Sequence, residues 1–567
     1  MKSYRLILGI LGPLLAGTLI GGWLSPALAD DDTSNPYRDI RISRLSLIEG
    51  EVLVQRGDDT EWMTTSVNLP LRPHDKLWTS DGARAEVQFD DGSMIRLAEN
   101  TSLDLLDFDP ARIQVQVTLG VATFMINFPS RASQTGAVFE IDTPQVAAVV
   151  NRSGKFRIDV AEDSSTVITV REGAVDLSTD ENPITVVKNQ QVEIDQSEPP
   201  HYLLQAARDP DDWDQWNADR DRQIAMAASR RYLPPTVAMG VGELDTYGTW
   251  ITAPGYGWVW MPQVSVGWAP YQYGRWVWIE PWGWTWVSYE PWGWVPYHHG
   301  RWVVVSGSWV WVPGPPREVW APGYVRFIYG PTWVAWVPLG PREVYYYNPR
   351  PSVQVNVTLI NYRVPGAVSV LHRQTFLTAQ PAPEHFVPPA DPIREGRVMA
   401  GPPPLVPVRA SLRSKPQEEA HPNLQPPPII HRPVVYHHPV SSPPAPFEKR
   451  IKEVDNIIQQ GRPPIVATPR AEVSGTPKTD DRNQPERIHK DIVVRKEIRK
   501  PEEKELSSSS IQEPRPHREP KRAGDSIKRE QPRPLKHPEA SKELQGHNEA
   551  RPLYRKPPQP AKREQRQ

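Results

Sequence analysis

Five side chains, Trp250, Tyr273, Arg275, Trp276 and Trp302, recur with a spacing that suits binding chemistry. They belong to a Gly-x-Trp step repeated every 26 residues: Tyr247-Gly248-Thr249-Trp250, Tyr273-Gly274-Arg275-Trp276 and His299-Gly300-Arg301-Trp302. A second tryptophan follows each step at a fixed offset (Trp268, Trp294, Trp320), and two residues later comes a proline. Flat, weakly polar indole faces attract C–H groups and bury a large area at small entropic cost. That is the chemistry that stacks on sugar rings or clamps proline-rich peptides.

The elements that carry these side chains are strands. Trp276 and Trp278, then Trp282, Trp284 and Trp286, then Trp309 and Trp311 alternate with period two, which puts tryptophan on one face of a strand. The opposite face is hardly polar, with Val277, Ile279, Thr285 and Val287, and between Tyr247 and Pro316 the only charged residues are Arg275, Glu280, Glu290 and Arg301. A sheet that apolar on both sides must cover at least one of them. Two readings follow: the tryptophans form the core of a stacked β unit, or part of them stays exposed as a contact stripe. In either case residues 244–347 are one supersecondary element copied, each copy burying its apolar face against the next.

Before this block, about residues 42–195 alternate in short runs broken by Gly, Asp and Asn. Ala85, Val87 and Phe89 share one strand face, as do Ile113, Val115 and Val117, and Phe156, Ile158 and Val160. Asp90-Asp91-Gly92 is a hairpin signal between two such runs. The region reads as one all-β domain. Gly50-Glu51-Val52-Leu53-Val54, Asp91-Gly92-Ser93-Met94-Ile95-Arg96-Leu97, Leu119-Gly120-Val121, Thr143-Pro144 and Val170-Arg171-Glu172-Gly173-Ala174-Val175 together resemble the FecR-type periplasmic domain. The resemblance implies an elongated, β-solenoid-like wrap and a periplasmic protein-binding role. The block behind it is similar to an uncharacterised Trp/Tyr/Gly/Pro-rich region of exported bacterial FecR-domain proteins, at Asp212-Trp213-Asp214-Gln215-Trp216-Asn217, Gly267-Trp268-Ala269-Pro270-Tyr271 and Pro338-Leu339-Gly340-Pro341-Arg342-Glu343-Val344-Tyr345. That likeness covers about residues 205–347 and brings no activity with it.

A connecting α-helix is expected over 209–233, capped by Asp209, with Pro210 in its first turn and Pro234-Pro235 ending it. Residues 348–379 read as an extended segment and 380–567 as a disordered, proline-rich charged tail, with one short helix near Ile451, Val454, Ile457 and Ile458. From Lys449 onward the tail holds 29 Lys and Arg against 19 Asp and Glu, while the whole chain carries a net −2, so charge is split along the chain. Lys2 and Arg5 before the apolar run Leu6–Leu24, with Ala27-Leu28-Ala29 after it, read as a signal peptide over 1–29 cleaved after Ala29. With no cysteine, an exported chain must be held by packing alone.

The expected function is that of a non-enzymatic exported protein, periplasmic or secreted, binding or scaffolding through its FecR-like domain and aromatic repeats. Two alternatives stand beside it: a module that binds cell-wall or polysaccharide glycan by tryptophan stacking, and a periplasmic component of a FecR-type signalling system. The expected partners are envelope proteins or glycan, and not nucleic acid; the basic tail suits anionic envelope polymers. No cofactor, metal site or transmembrane segment after signal cleavage is expected. His298-His299 and His437-His438 lack the further ligands a metal site needs.

Overall fold

The computed structural model describes residues 41–460 apart from 110, 129–136, 180–182, 317, 348–354, 356 and 416–424, all within one unit of the chain. The segment expected to be a signal peptide, with Ala27 and Ala29, and the tail from 461 onward lie outside the described residues.

From Ser43 to Ala206 the chain climbs through two facing nine-stranded sheets and delivers strands to each in turn. Arg84–Phe89 and Met94–Leu97 join the first sheet, Thr101–Asp109 and Arg112–Gln116 the second, and Gly120–Ile126 returns to the first. This is the elongated all-β wrap expected, and among the described residues no barrel closes. Period-two alternation sends Ala85, Val87, Phe89, Phe156 and Ile158 inward, each with no exposed surface. Between the sheets Phe89 meets Phe108 and Phe139 edge to face, at centroid distances of 5.3 Å and 6.2 Å. The hairpin at Asp90-Asp91-Gly92 is present: the Gly92 N–H donates to the Phe89 carbonyl at 3.0 Å, and Gly92 has φ +86°, a conformation glycine adopts without strain.

The outward faces of both sheets are covered as well. Over the first lies a helix, Asp212–Ala225, shorter than the expected 209–233 and capped by Asp211 instead of Asp209. The physical reason is a reciprocal capping box: the Asp211 side chain accepts from the Asp214 N–H while the Asp214 side chain takes the Asp211 N–H, which leaves Pro210 outside. Trp213 is buried and stacks on Trp216 at 5.0 Å, yet ion pairs do much of the docking. Glu86, fully buried, takes Arg96 at 2.8 Å and Arg220 of the helix at 2.9 Å, and Arg96 reaches Asp221 at 2.6 Å.

The second sheet turns Leu53 and Trp78 outward beside Leu119 of the connection to the first sheet, and Ile430 closes over them. Thr118 donates its hydroxyl to the Ile430 carbonyl at 2.8 Å, the Val435 N–H reaches the Thr143 carbonyl at 2.9 Å, and the N–H groups of His437 and His438 converge on Glu140 at 2.8 Å and 3.0 Å. A helix, Phe447–Gln459, then buries Phe447 and Val454. The expected disorder from 380 is therefore corrected for 380–415 and 425–460. Proline forbids helix and ladder bonds there, but an extended chain can still be held by side chains and sheet faces that reach its carbonyls and N–H groups. The segment expected to be extended likewise contains a strand, Ser369–His372, and a helix, Arg373–Thr378.

In the aromatic block each 26-residue repeat is one β-hairpin. Gly248–Ala253 pairs with Gly257–Pro262, Gly274–Ile279 with Gly283–Ser288, and Arg301–Val305 with Ser308–Val312. A fourth copy, Val325–Tyr329 with Trp333–Pro338, follows in the same rhythm. The same cross-strand partnership recurs in all four: Trp250 opposite Trp260, Trp276 opposite Trp286, Trp302 opposite Trp311 and Phe327 opposite Trp336. The block and the N-terminal β domain share a continuous apolar core. At their junction Asn68 donates to the Glu290 carbonyl at 2.8 Å, and Arg44 pairs with Glu243 at 2.5 Å.

Candidate functional site

The structure breaks up the five-residue contact stripe. Trp276 is 2% exposed and Trp302 not at all, so both are core side chains and the exposed-platform reading is corrected for them. The Trp302 indole N–H donates to the Pro296 carbonyl at 3.0 Å. The Trp276 ring lies against Phe327 at 4.7 Å and Trp286 at 5.4 Å. Trp250 is half-buried, stacked on Tyr232 at 4.5 Å with its N–H on the Ser229 hydroxyl. Of the five only Tyr273 is open, at 59% exposure. The cause lies in the packing: the tryptophan face of the second hairpin meets the fourth hairpin, and the later chain closes over the rest of that face and, at Ala410, over its back. Phe376 packs on Trp284 at 4.7 Å, and the Trp284 N–H reaches the Leu405 carbonyl at 3.2 Å. Among the 17 tryptophans of the block only Trp250, Trp258 and Trp268 escape burial.

Arg275 and Trp276 nevertheless meet at a cavity of about 430 Å³, between the second hairpin, the strand Ser369–His372 and the helix Arg373–Thr378. Tyr271, Trp276, Trp286, Tyr289, Trp336 and Phe376 contribute rings to its lining. Strand alternation puts Arg275 on the opposite side from Val277's neighbours Trp276 and Trp278, facing the short 3-10 turn Arg409–Leu412, where it donates to the Ala410 carbonyl at 3.1 Å. It is 9% exposed, and burial lowers its pKa, with the nearby Arg413 adding to the effect; no carboxylate pairs with it among the described residues. The indole N–H groups of Trp276 and Trp286 and the hydroxyl of Thr375 have no hydrogen-bond partner among the described residues. Sequence reasoning reached Arg275 and Trp276 but missed Thr375 and Phe376. The signal for them is the proline-free window 366–380 inside an otherwise proline-rich stretch.

A second polar cluster sits at the junction of the two β regions. Glu290 accepts from the Trp268 N–H at 2.7 Å and from the hydroxyls of Tyr297 and Ser288. Desolvation pushes its pKa up from 4.5 to about 7, against the opposing pull of those hydrogen bonds. The folded chain therefore holds this proton more tightly than the unfolded chain, so its contribution to stability declines as pH rises from about 4.5 through 7, by roughly 3 kcal/mol. Glu290→Gln keeps an acceptor for Trp268 and cannot ionise. Urea melts between pH 4.5 and 8 should show a shallower decline in the variant; an identical slope would mean that Glu290 ionises freely. Nearby, His298 and His299 are buried, and desolvation lowers their pKa values to about 3 and about 4, so both are neutral in the folded chain at pH 7.

Residues 75–176 match the family model described as FecR protein, and residues 241–343 match DUF6600, a family of unknown function. The chain carries a FecR domain followed by a DUF6600 domain. Two crystal structures described as a "putative anti-sigma factor" from Parabacteroides distasonis ATCC 8503, at 2.50 Å and 1.65 Å resolution, are 21% and 20% identical to it. Each match covers 23% of this chain and 59% of that chain, at a TM-score of 0.21, so less than two thirds of those proteins is spanned. No curated protein matches the chain. Among the described residues no helix is long and apolar enough to cross a membrane.

Proposed function

We propose that this FecR–DUF6600 chain is an exported, non-enzymatic envelope component that binds a protein partner through its FecR domain, in a scaffold or a FecR-type signalling assembly. The aromatic block is its rigid buttress. The observation that carries this reading is the far edge of the N-terminal β domain, beyond the matched residues 75–176. Tyr202–Ala206 is the last strand of its sheet, and there Leu203 and Leu204 are 57% and 44% exposed; Val187, on the last strand of the facing sheet, is 44% exposed. An apolar edge strand is a template for a partner's strand, and natural domains usually blunt such edges with charge. The FecR match supports an envelope setting and a signalling partner. The burial of the tryptophans favours a structural role for the block over glycan stacking along its length. The commitment of buried carboxylates such as Glu86 to ion pairs supports a binding role over catalysis.

The test is affinity capture by the full chain from detergent-solubilised envelopes, with and without glycan-degrading enzymes. The expected result is capture of a protein partner that survives glycan digestion. Leu203→Lys with Leu204→Lys should abolish it while stability changes by no more than about 0.5 kcal/mol per site, as for other exposed positions. Capture unaffected by the two lysines, or lost on glycan digestion, would overturn the reading.

A further inference from the structure

We infer that the cavity beside Arg275 is a binding site for a small ring-borne carboxylate of the size of an acidic monosaccharide. This stands apart from the partner edge and rests on different residues. The cavity, about 430 Å³, lies in the range of small-molecule sites, and aromatic side chains share its lining with the polar Gln272, Arg275, Ser369 and Thr375. Gln272, Tyr289 and Arg275 already donate to the carbonyls of Gly366, Ser414 and Ala410, but three other donors of the lining have no partner among the described residues. Trp276 and Trp286 are 2% and 1% exposed, yet neither indole N–H has a partner among the described residues. The Thr375 hydroxyl is in the same position. Buried donors left unpaired cost free energy that a ligand's oxygens can return.

Arg275 makes the site selective. A guanidinium needs several acceptors, and this one, 9% exposed, has a single backbone carbonyl, that of Ala410, and no ion pair among the described residues. Other buried arginines have carboxylates or several carbonyls: Arg96 has Glu86 and Asp221, Arg72 has Asp58, and Arg326, without an ion pair among the described residues, donates to the carbonyls of Val344, Met399 and Ala400. A carboxylate is the charge that Arg275 lacks, and its planar fork suits one bidentately. The ring faces of Tyr271, Trp276 and Trp336 would hold a flat body, sugar or aromatic, by its C–H or π surface.

Isothermal titration of the full chain with sodium glucuronate, glucose and 4-hydroxybenzoate tests this directly. The expected result is saturable binding of glucuronate, about ten- to a hundredfold tighter than glucose, since a charge-assisted hydrogen bond separates the two. Arg275→Gln should erase that preference. Thr375→Val, nearly isosteric and without the unpaired hydroxyl, should weaken binding while leaving the melting temperature unchanged or higher, and it decides the matter if Arg275→Gln fails to fold. Binding of 4-hydroxybenzoate in place of glucuronate, with the same dependence on Arg275, keeps the carboxylate site and assigns it to an aromatic acid. The inference is overturned if neither acid binds up to about 10 mM, if glucose binds equally well, or if the variants bind like the parent chain.

Discussion

Trp276→Ala and Trp284→Ala should each destabilise the full chain by about 3–5 kcal/mol, the cost of emptying a large aromatic site in a packed core. Both rings are 2% exposed and sit opposite tryptophans of the neighbouring strand, Trp286 and Trp278. Trp276 touches Phe327 and Trp336 of the fourth hairpin, and Trp284 touches Phe376 of the helix that follows, so each ring joins elements far apart in sequence. An exposed platform would behave otherwise: its tryptophans could be removed with almost no loss of stability. Urea melts of the two variants distinguish the cases, and a melt for Trp276→Ala within about 0.5 kcal/mol of the parent would return that ring to the surface.

Glu86→Ala should cost a similar amount, about 3–5 kcal/mol, because it leaves the Arg96 guanidinium buried with one of its two carboxylate partners gone. Acid should mimic the substitution. Burial alone would raise the Glu86 pKa, but hydrogen bonds and charge from Arg220 and Arg96 outweigh it and hold the carboxyl at about 2. A carboxylate whose folded pKa lies below its unfolded value contributes stability that is present above about 4.5 and disappears as pH falls towards 2, roughly 3 kcal/mol for this shift. Melts from pH 5 to 2 should therefore fall more steeply in the parent than in Glu86→Ala. Parallel curves would mean that the bridge to the helix contributes nothing net. Glu290 works in the opposite direction on the alkaline side, so these two groups place maximal stability in mildly acidic solution.

Period-two alternation made the inward set of the FecR domain legible, because the strand geometry that hides Val87 and Phe89 is local. So was the hairpin at Gly92, where one residue type answers one backbone conformation. The coverings of the outer faces were not. Glu86, Arg96 and Arg157 look like solvated positions until Asp214, Arg220 and Asp221 are brought over them from more than fifty residues away. The 26-residue rhythm revealed the hairpins, but the fourth copy was hidden by Phe327 standing where its predecessors have tryptophan. Whether Trp284 faced water depended on Phe376 and Leu405, in segments that proline content had assigned to spacer and tail. At the cavity, Arg275 was conspicuous as a lone charge in an apolar strand. Its lack of a carboxylate partner is a property of the packed molecule alone.

The returning segment has a consequence in time. Ile430 and His438 reach back to Thr118 and Glu140 across about 300 residues of chain. A ribosome working from the N-terminus at 5–20 residues per second needs roughly 15–60 s to supply that length. For that interval the FecR domain can form its strands while the face carrying Leu53, Trp78 and Leu119 remains uncovered, an adhesive surface on a nascent protein. Mutations that slow the final closure would therefore lower the yield of folded protein through aggregation, even where the finished molecule is as stable as its parent.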